Sequence, residues 1–384
     1  MTRLVQSEES AIRVNIAAMS DVPDPSLEGR YIRRCIVLKN PVRRGEVLER
    51  GVLLITFTET FPYFHEKINC EELLNYFYVV LEPSWAGYCD ANILRWSTYS
   101  GRPIVVEATE STDFEFISAL GSNLVPVSFG ASDWADFRTF APVAGVEKRY
   151  DAVYVTNYHP IKRHHVFFKA IRAISDPTYK AAIVFGRNGD AEDDIQALID
   201  FYGIRKNLEI FEGLPQQELN KLLNMSKVNV LFSLKEGSNR SLFESMFSGV
   251  PGILLKSNVG ANKTYINSYT GRLVEEREVC EALQHFRTEW STYSPREWAL
   301  QNISPLVTTQ KLSKILRGCA EEQGEPWTQD LVPKVNAPEV QYFHDADTKR
   351  MLASREVLAC FRKDQQRSRS SAAVEAQLLK TNQD

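Results

Sequence analysis

Two glutamates, Glu236 and Glu244, stand eight positions apart in K-E-G-S-N-R-S-L-F-E, with Gly237, Ser238, Asn239, Arg240 and Ser241 between them. If this polar stretch opens a helix, its free backbone N–H groups and dipole attract anions. A second charged cluster, K-R-H-H from Lys162 to His165, puts two cations ahead of another helical pattern. Positive charge there opposes the helix dipole and asks for an anionic partner. Both clusters also have plain structural readings. Ser241-x-x-Glu244 fits a capping box that would tie Glu244 to the helix start, and K-R-H-H fits a solvated helix start.

The elements around the acid pair are readable. Val228, Val230, Leu231 and Phe232 form a β-favouring run, while Leu242, Phe243, Met246 and Phe247 recur at helical spacing, giving strand, polar loop, helix. Gly249 and Pro251 supply the stop. This unit is one of a series: strand 152–156, helix 163–174, strand 181–185, helix 193–202, strand 208–211, helix 216–223, then strand 228–232 and strand 253–255. Such repeats predict a doubly wound parallel sheet. In the first half, strands at 35–38, 52–57, 77–81, 104–106 and 124–127 alternate with helical patterns such as 91–99 and 113–120, predicting a second parallel sheet with helices on its faces. Polar stretches follow these strands, where ligands of open α/β sheets bind. Trp85, Glu107, Glu110 and Asp133 are the acceptor-side candidates among them, since aromatic rings beside carboxylates suit sugar faces and hydroxyls. Packed aromatics and helix-capping carboxylates are the structural alternative.

The pattern Glu236-x7-Glu244 resembles the signature of retaining family 4 glycosyltransferases of the GT-B fold. Three further segments resemble that family in the same order. Thr156 to Arg163 (T-N-Y-H-P-I-K-R) is similar to its G-R-L-x-x-x-K-G segment, with Lys162 at the Lys, Asn157 where an Arg is expected and Arg163 in place of the Gly. Residues 129–142 match its domain-closing segment through Gly130, Asp133, Phe140 and Pro142, and residues 257–274 match through Val259, Gly260, Ile266, Thr270, Gly271, Leu273 and Val274.

The resemblance implies an α/β, GT-B chain of two Rossmann-like, doubly wound domains facing a cleft. It implies a nucleotide-diphosphate sugar, UDP- or GDP-linked, as donor substrate, with no tightly bound cofactor and no metal. The sugar would pass, with retention, to a hydroxyl of a glycan or lipid-linked acceptor, as in polysaccharide or glycoconjugate synthesis. Glu236 would orient the donor sugar and Glu244 hold the ribose. Lys162, with Arg163 or Arg240 as a second cation, would neutralise the leaving diphosphate. Gly237, Ser238, Asn239, Arg240, Ser241 and Asn157 would line the nucleotide, and Arg187 follows a strand near the turn beneath it. Nucleotide-sugar epimerases or hydrolases and non-catalytic binding proteins of the same fold are the rival readings.

Composition narrows the classes. The 384 residues carry 45 basic and 49 acidic side chains, a net charge of -4, so there is no footprint for nucleic acid. The six cysteines and six histidines lack metal-ligand spacing. No apolar run approaches a membrane span, and residues 1–30 lack a signal-peptide core. A cytoplasmic protein is expected, with a lipid-linked acceptor able to bring it to the inner face of a membrane. The expected organisation is a polar arm (1–30), a short acceptor domain (31–145), a nucleotide-sugar domain (146–290), helices packing back on the first domain (291–354) and a polar tail (355–384).

Overall fold

The computed structural model describes residues 21–84, 90–186, 192–336, 339–364 and 371–379. The chain divides into two compact units, Met1–Trp134 with Pro305–Asp384 and Ala135–Ser304. The divisions thus fall before residue 135 and after 304, where the sequence had suggested 145 and 290.

In the first unit, β1 (Cys35–Lys39), β2 (Gly51–Thr56), β3 (Phe77–Glu82), β4 (Ile104–Glu107) and β5 (Leu124–Val127) lie side by side in that order. Strands β2 to β5 are parallel, but β1 runs antiparallel to β2, which corrects the expectation of a wholly parallel sheet. The segment between β1 and β2 forms a small hairpin, Val42–Arg44 with Val47–Glu49. No crossover helix returns the chain to the starting end, so the antiparallel arrangement follows.

Each later crossover steps in one direction, and right-handed crossovers of that kind place their helices on one face. That face buries Leu53, Ile55, Val79 and Leu81 with Phe61, Phe64, Leu73 and Ile117. The opposite face, carrying Ile36, Leu38, Val52, Leu54 and Val80, is covered by Leu312, Leu316 and Ala320 of the long Pro305–Glu322 helix. The segment after residue 354 is not simply a polar tail. Val357, Leu358 and Phe361, with Val374 and Leu378, are buried in the first core. Their helical spacing makes an apolar stripe that the charged composition of the segment conceals.

In the second unit, β6 (Ala152–Thr156), β7 (Ala181–Phe185), β8 (Leu208–Glu212), β9 (Asn229–Leu231), β10 (Gly252–Leu255) and β11 (Gly271–Val274) form a parallel sheet ordered β8-β7-β6-β9-β10-β11. This is the Rossmann order, which reverses direction between its first and fourth strands. The close contact of β10 with β11 requires glycine: a Cβ on Gly271 would stand 1.9 Å from the Gly252 carbonyl oxygen. The Pro295–Asn302 helix, expected among those returning to the first domain, keeps Ala299 in the second unit's core with Phe140, Met246 and Phe247.

Candidate active site

The reversal between β6 and β9 opens a crevice at the carboxyl ends of those strands, the place where ligands bind in such sheets. From β6 the chain passes Asn157 into the short Pro160–Lys162 turn, and from β9 it runs through Ser233 to Glu236. Backbone bonds stitch these loops to the one after β10. Leu234 N donates to Ile161 O at 2.9 Å, Val259 N to Leu234 O at 3.0 Å, and Glu236 N to Val259 O at 2.8 Å. Asn258, fully buried, donates its carboxamide N–H to Ser233 O at 2.8 Å and accepts from Ala261 N at 3.2 Å.

The stitching places Lys162 Nζ 2.6 Å from Glu236 Oε1. The two side chains are 15% and 9% exposed. Behind them, the Tyr154 hydroxyl of β6 donates to the Lys162 carbonyl, and burial raises its pKa so that it stays an O–H donor. His164, beside the Thr156 hydroxyl at 3.2 Å, is held neutral by burial, its pKa lowered to about 4. The helix start therefore gains no further charge from it.

Arg163 sits at φ 53°, ψ 47°, in the left-handed region. This is the position where the resembled family has glycine, the residue that adopts such a conformation without strain. The Arg163 guanidinium pairs with Glu276. The Asn157 carboxamide oxygen accepts from His159 N at 3.1 Å within its own turn.

The acid-pair helix runs Arg240–Phe247 and is capped by Asn239, whose side-chain oxygen accepts from Leu242 N and from the Ser241 hydroxyl, each at 3.0 Å. The Ser241/Glu244 capping box therefore does not form. Glu244 instead faces Arg240, 3.0 Å away on the same helix. Its carboxyl is buried, which raises its pKa, and Arg240 opposes that rise. Gly237 and Ser238 are half-buried between the two acids. Arg187 and Trp85 lie outside the described residues.

In the first unit, the described acceptor-side candidates, Glu107, Glu110 and Asp133, lie at or after the carboxyl ends of β4 and β5. Glu82, ending β3, accepts from Lys334 Nζ at 2.5 Å and Asn336 Nδ2 at 3.1 Å, and Lys334 also lies 4.0 Å over the Trp134 ring. On the neighbouring strand, neither carboxyl oxygen of Glu107 has a hydrogen-bond partner among the described residues. Burial first, and Glu82 second, push the Glu107 pKa well above the usual carboxylate range. Asp133 accepts from Gly130 N at 3.1 Å, and the Glu110 carbonyl accepts from Asp113 N at the start of the Ser111–Ala119 helix. Both have turn or helix-start surroundings.

Sequence reasoning missed Tyr154, His164, Asn258, Glu276 and Lys334. Tyr154, a polar tip within an apolar strand, and His164, within the K-R-H-H cluster, had local signals; Asn258, Glu276 and Lys334 act across long separations. Among the described residues no group of three side chains could hold a metal ion, and no helix is long and apolar enough to cross a membrane.

A Rossmann-ordered sheet with a lysine–carboxylate pair at its switch point, following a second α/β unit in the chain, fits the GT-B fold. Residues 137–288 match the family model described as "Glycosyl transferases group 1". Among solved structures, a sucrose-phosphate synthase from Thermosynechococcus elongatus is similar at 14% identity and a TM-score of 0.55, covering 71% of this chain and 74% of that one. Anabaena HepE in complex with UDP is similar at 15% identity and a TM-score of 0.54, with coverage of 69% and 78%. TarM is similar at 14% identity and a TM-score of 0.53, covering 68% of this chain but 54% of its own. At these identities the likeness is one of fold. No curated protein sequence matches the chain.

Proposed function

We propose that this glycosyltransferase moves a sugar from a nucleotide diphosphate to a hydroxyl of a glycan or lipid-linked acceptor, retaining the anomeric configuration and using no metal. The observation that carries the reading is the accessible Lys162–Glu236 pair at the switch point, next to the start of the Arg240–Phe247 helix. As the C1–phosphate bond breaks, charge grows on the departing diphosphate. Lys162 and the helix N-terminus stabilise it, an electrostatic device of the kind that dominates such reactions. The acceptor oxygen bonds C1 on the face the diphosphate leaves, and its proton passes to the departing phosphate oxygen. Glu236 orients the sugar and braces the positive charge on its ring, and Glu244 holds the ribose.

In the first unit, Glu107, Glu110 and Asp133 are the described acceptor-side candidates, with both Glu107 carboxyl oxygens enclosed. A lipid-linked acceptor would bring the protein to the inner face of a membrane. The fold likeness to HepE, whose structure contains UDP, supports testing uridine donors first.

The test is a panel of UDP- and GDP-sugars with and without glycan acceptors, in chelator, with product configuration read by NMR. Transfer with retention is the expected result. Donor consumption without acceptor would favour an epimerase or hydrolase. Nucleotide binding without turnover on any donor would favour a binding protein.

A further inference from the structure

At this site Lys162 meets Glu236. Asn157 occupies the place where the resembled family has an arginine, and its carboxamide oxygen is engaged by His159 N. Arg163 is directed to Glu276. Arg240 remains, and its surroundings are unusual for a purely structural arginine. It is the first residue of the Arg240–Phe247 helix, where a positive charge opposes the dipole. Its ion pair with Glu244 has the cation N-terminal to the acid at i,i+4, the weaker orientation for a helical pair. Its Nε is buried without a hydrogen-bond partner among the described residues, although the guanidinium is built to fill several acceptors at once. The side chain as a whole is 30% exposed, so its fork can turn toward an entering ligand.

Resting on the donor-site reading above, we propose that Arg240 is the second diphosphate cation and is stored on Glu244 until the donor arrives. Donor binding is then an exchange. The ribose hydroxyls take over the Glu244 carboxylate while the diphosphate takes the Arg240 fork, whose planar geometry suits bidentate phosphate contact. Glu244 is buried, so withdrawing Arg240 without supplying hydroxyls strands a carboxylate. Supplying hydroxyls without a phosphate strands the guanidinium. Ribose and diphosphate are therefore recognised together, and each half of the donor improves the site for the other.

Calorimetry with the full chain tests this, using UDP or GDP (whichever binds the wild type), the matching nucleoside, and pyrophosphate. Arg240→Ala should weaken nucleoside diphosphate binding by about tenfold or more, the size of an ordinary coupling, while nucleoside binding holds or improves. Glu244→Gln removes the storage partner and should raise pyrophosphate affinity several-fold, to roughly the lower end of that coupling range. Arg240→Lys, which keeps the charge and loses the fork, should fall between wild type and Arg240→Ala.

If Arg240→Ala weakens nucleoside and nucleoside diphosphate equally, Arg240 merely braces Glu244 and the proposal fails. Unchanged pyrophosphate affinity in Glu244→Gln also overturns it. In both cases wild-type nucleotide binding survives, which separates these failures from loss of the donor-site reading. A wild type that binds neither UDP nor GDP removes both.

Discussion

The carboxyl edges of the two sheets both gather acids and a lysine, yet they are built differently. In the second unit the strand order reverses, and the Lys162–Glu236 pair at the reversal is 15% and 9% exposed. In the first unit the parallel strands step in one direction, and the Lys334–Glu82 pair at the edge is 0% and 4% exposed. The lysine there comes from the short Lys334–Asn336 strand, far along the chain. Exposure, more than charge, separates the two. A partly open pair can exchange partners with a ligand, whereas a closed pair holds the fold.

The sharpest way to break that contrast is Lys334→Met. Removing one partner of a fully buried pair leaves Glu82 beside Glu107 without its cation, and a loss of about 3–5 kcal/mol is expected. Urea unfolding measures it, and the double variant Lys334→Met/Glu82→Gln should recover much of the loss. A cost near that of an exposed pair, below about 1 kcal/mol, would undo the distinction.

In the second unit the matching change tests the proposed chemistry. Lys162→Met should lower turnover by about 10²–10³, the usual loss for a removed charge-stabilising group, with folding intact by circular dichroism. Wild-type turnover would remove Lys162 from the mechanism.

Protonation offers a third test. Glu107 has its pKa raised well above 4.5 in the folded chain, mainly by burial. The folded state thus keeps a proton that the unfolded chain gives up, and stability falls as pH rises from the ordinary carboxylate range toward the folded pKa. Glu107→Gln should flatten that slope, matching wild type near pH 4 and exceeding it near pH 8, as roughly expected from the linkage. Equal slopes in the two proteins would mean that Glu107 ionises freely.

The smallest effect concerns Arg163. Glycine relieves its left-handed backbone, a gain of about 1 kcal/mol, but forfeits a partly exposed pair with Glu276 worth about 0–1 kcal/mol. Arg163→Gly should leave thermal stability unchanged or slightly higher. A clear fall in melting temperature would show that the Glu276 pair matters more than its exposure suggests.

Much of the second unit was legible in advance because its information is local. Strand and helix periods marked the β-α series, and polar residues fell in the loops that follow β6 and β9. Asn239 shows the limit. The S-x-x-E spacing favoured Ser241 as the cap, but the helix begins one residue before Ser241, and Glu244 turns to Arg240. Cap choice depends on where the preceding loop delivers the chain, and backbone bonds to residues 161 and 259 constrain that delivery. In the first unit the antiparallel β1 and the burial of Val357, Leu358, Phe361, Val374 and Leu378 were not legible, because strand direction and helix docking are decided by distant partners.

By itself the sequence determined the alternation of elements and the acid and basic residues at strand ends, since both follow from periodicity and short-range spacing. Tertiary structure decided which charges meet. Lys162 reaches Glu236 across 74 positions and Lys334 reaches Glu82 across 252. Such pairings depend on strand order and on how deeply each end is buried, and no local pattern encodes either.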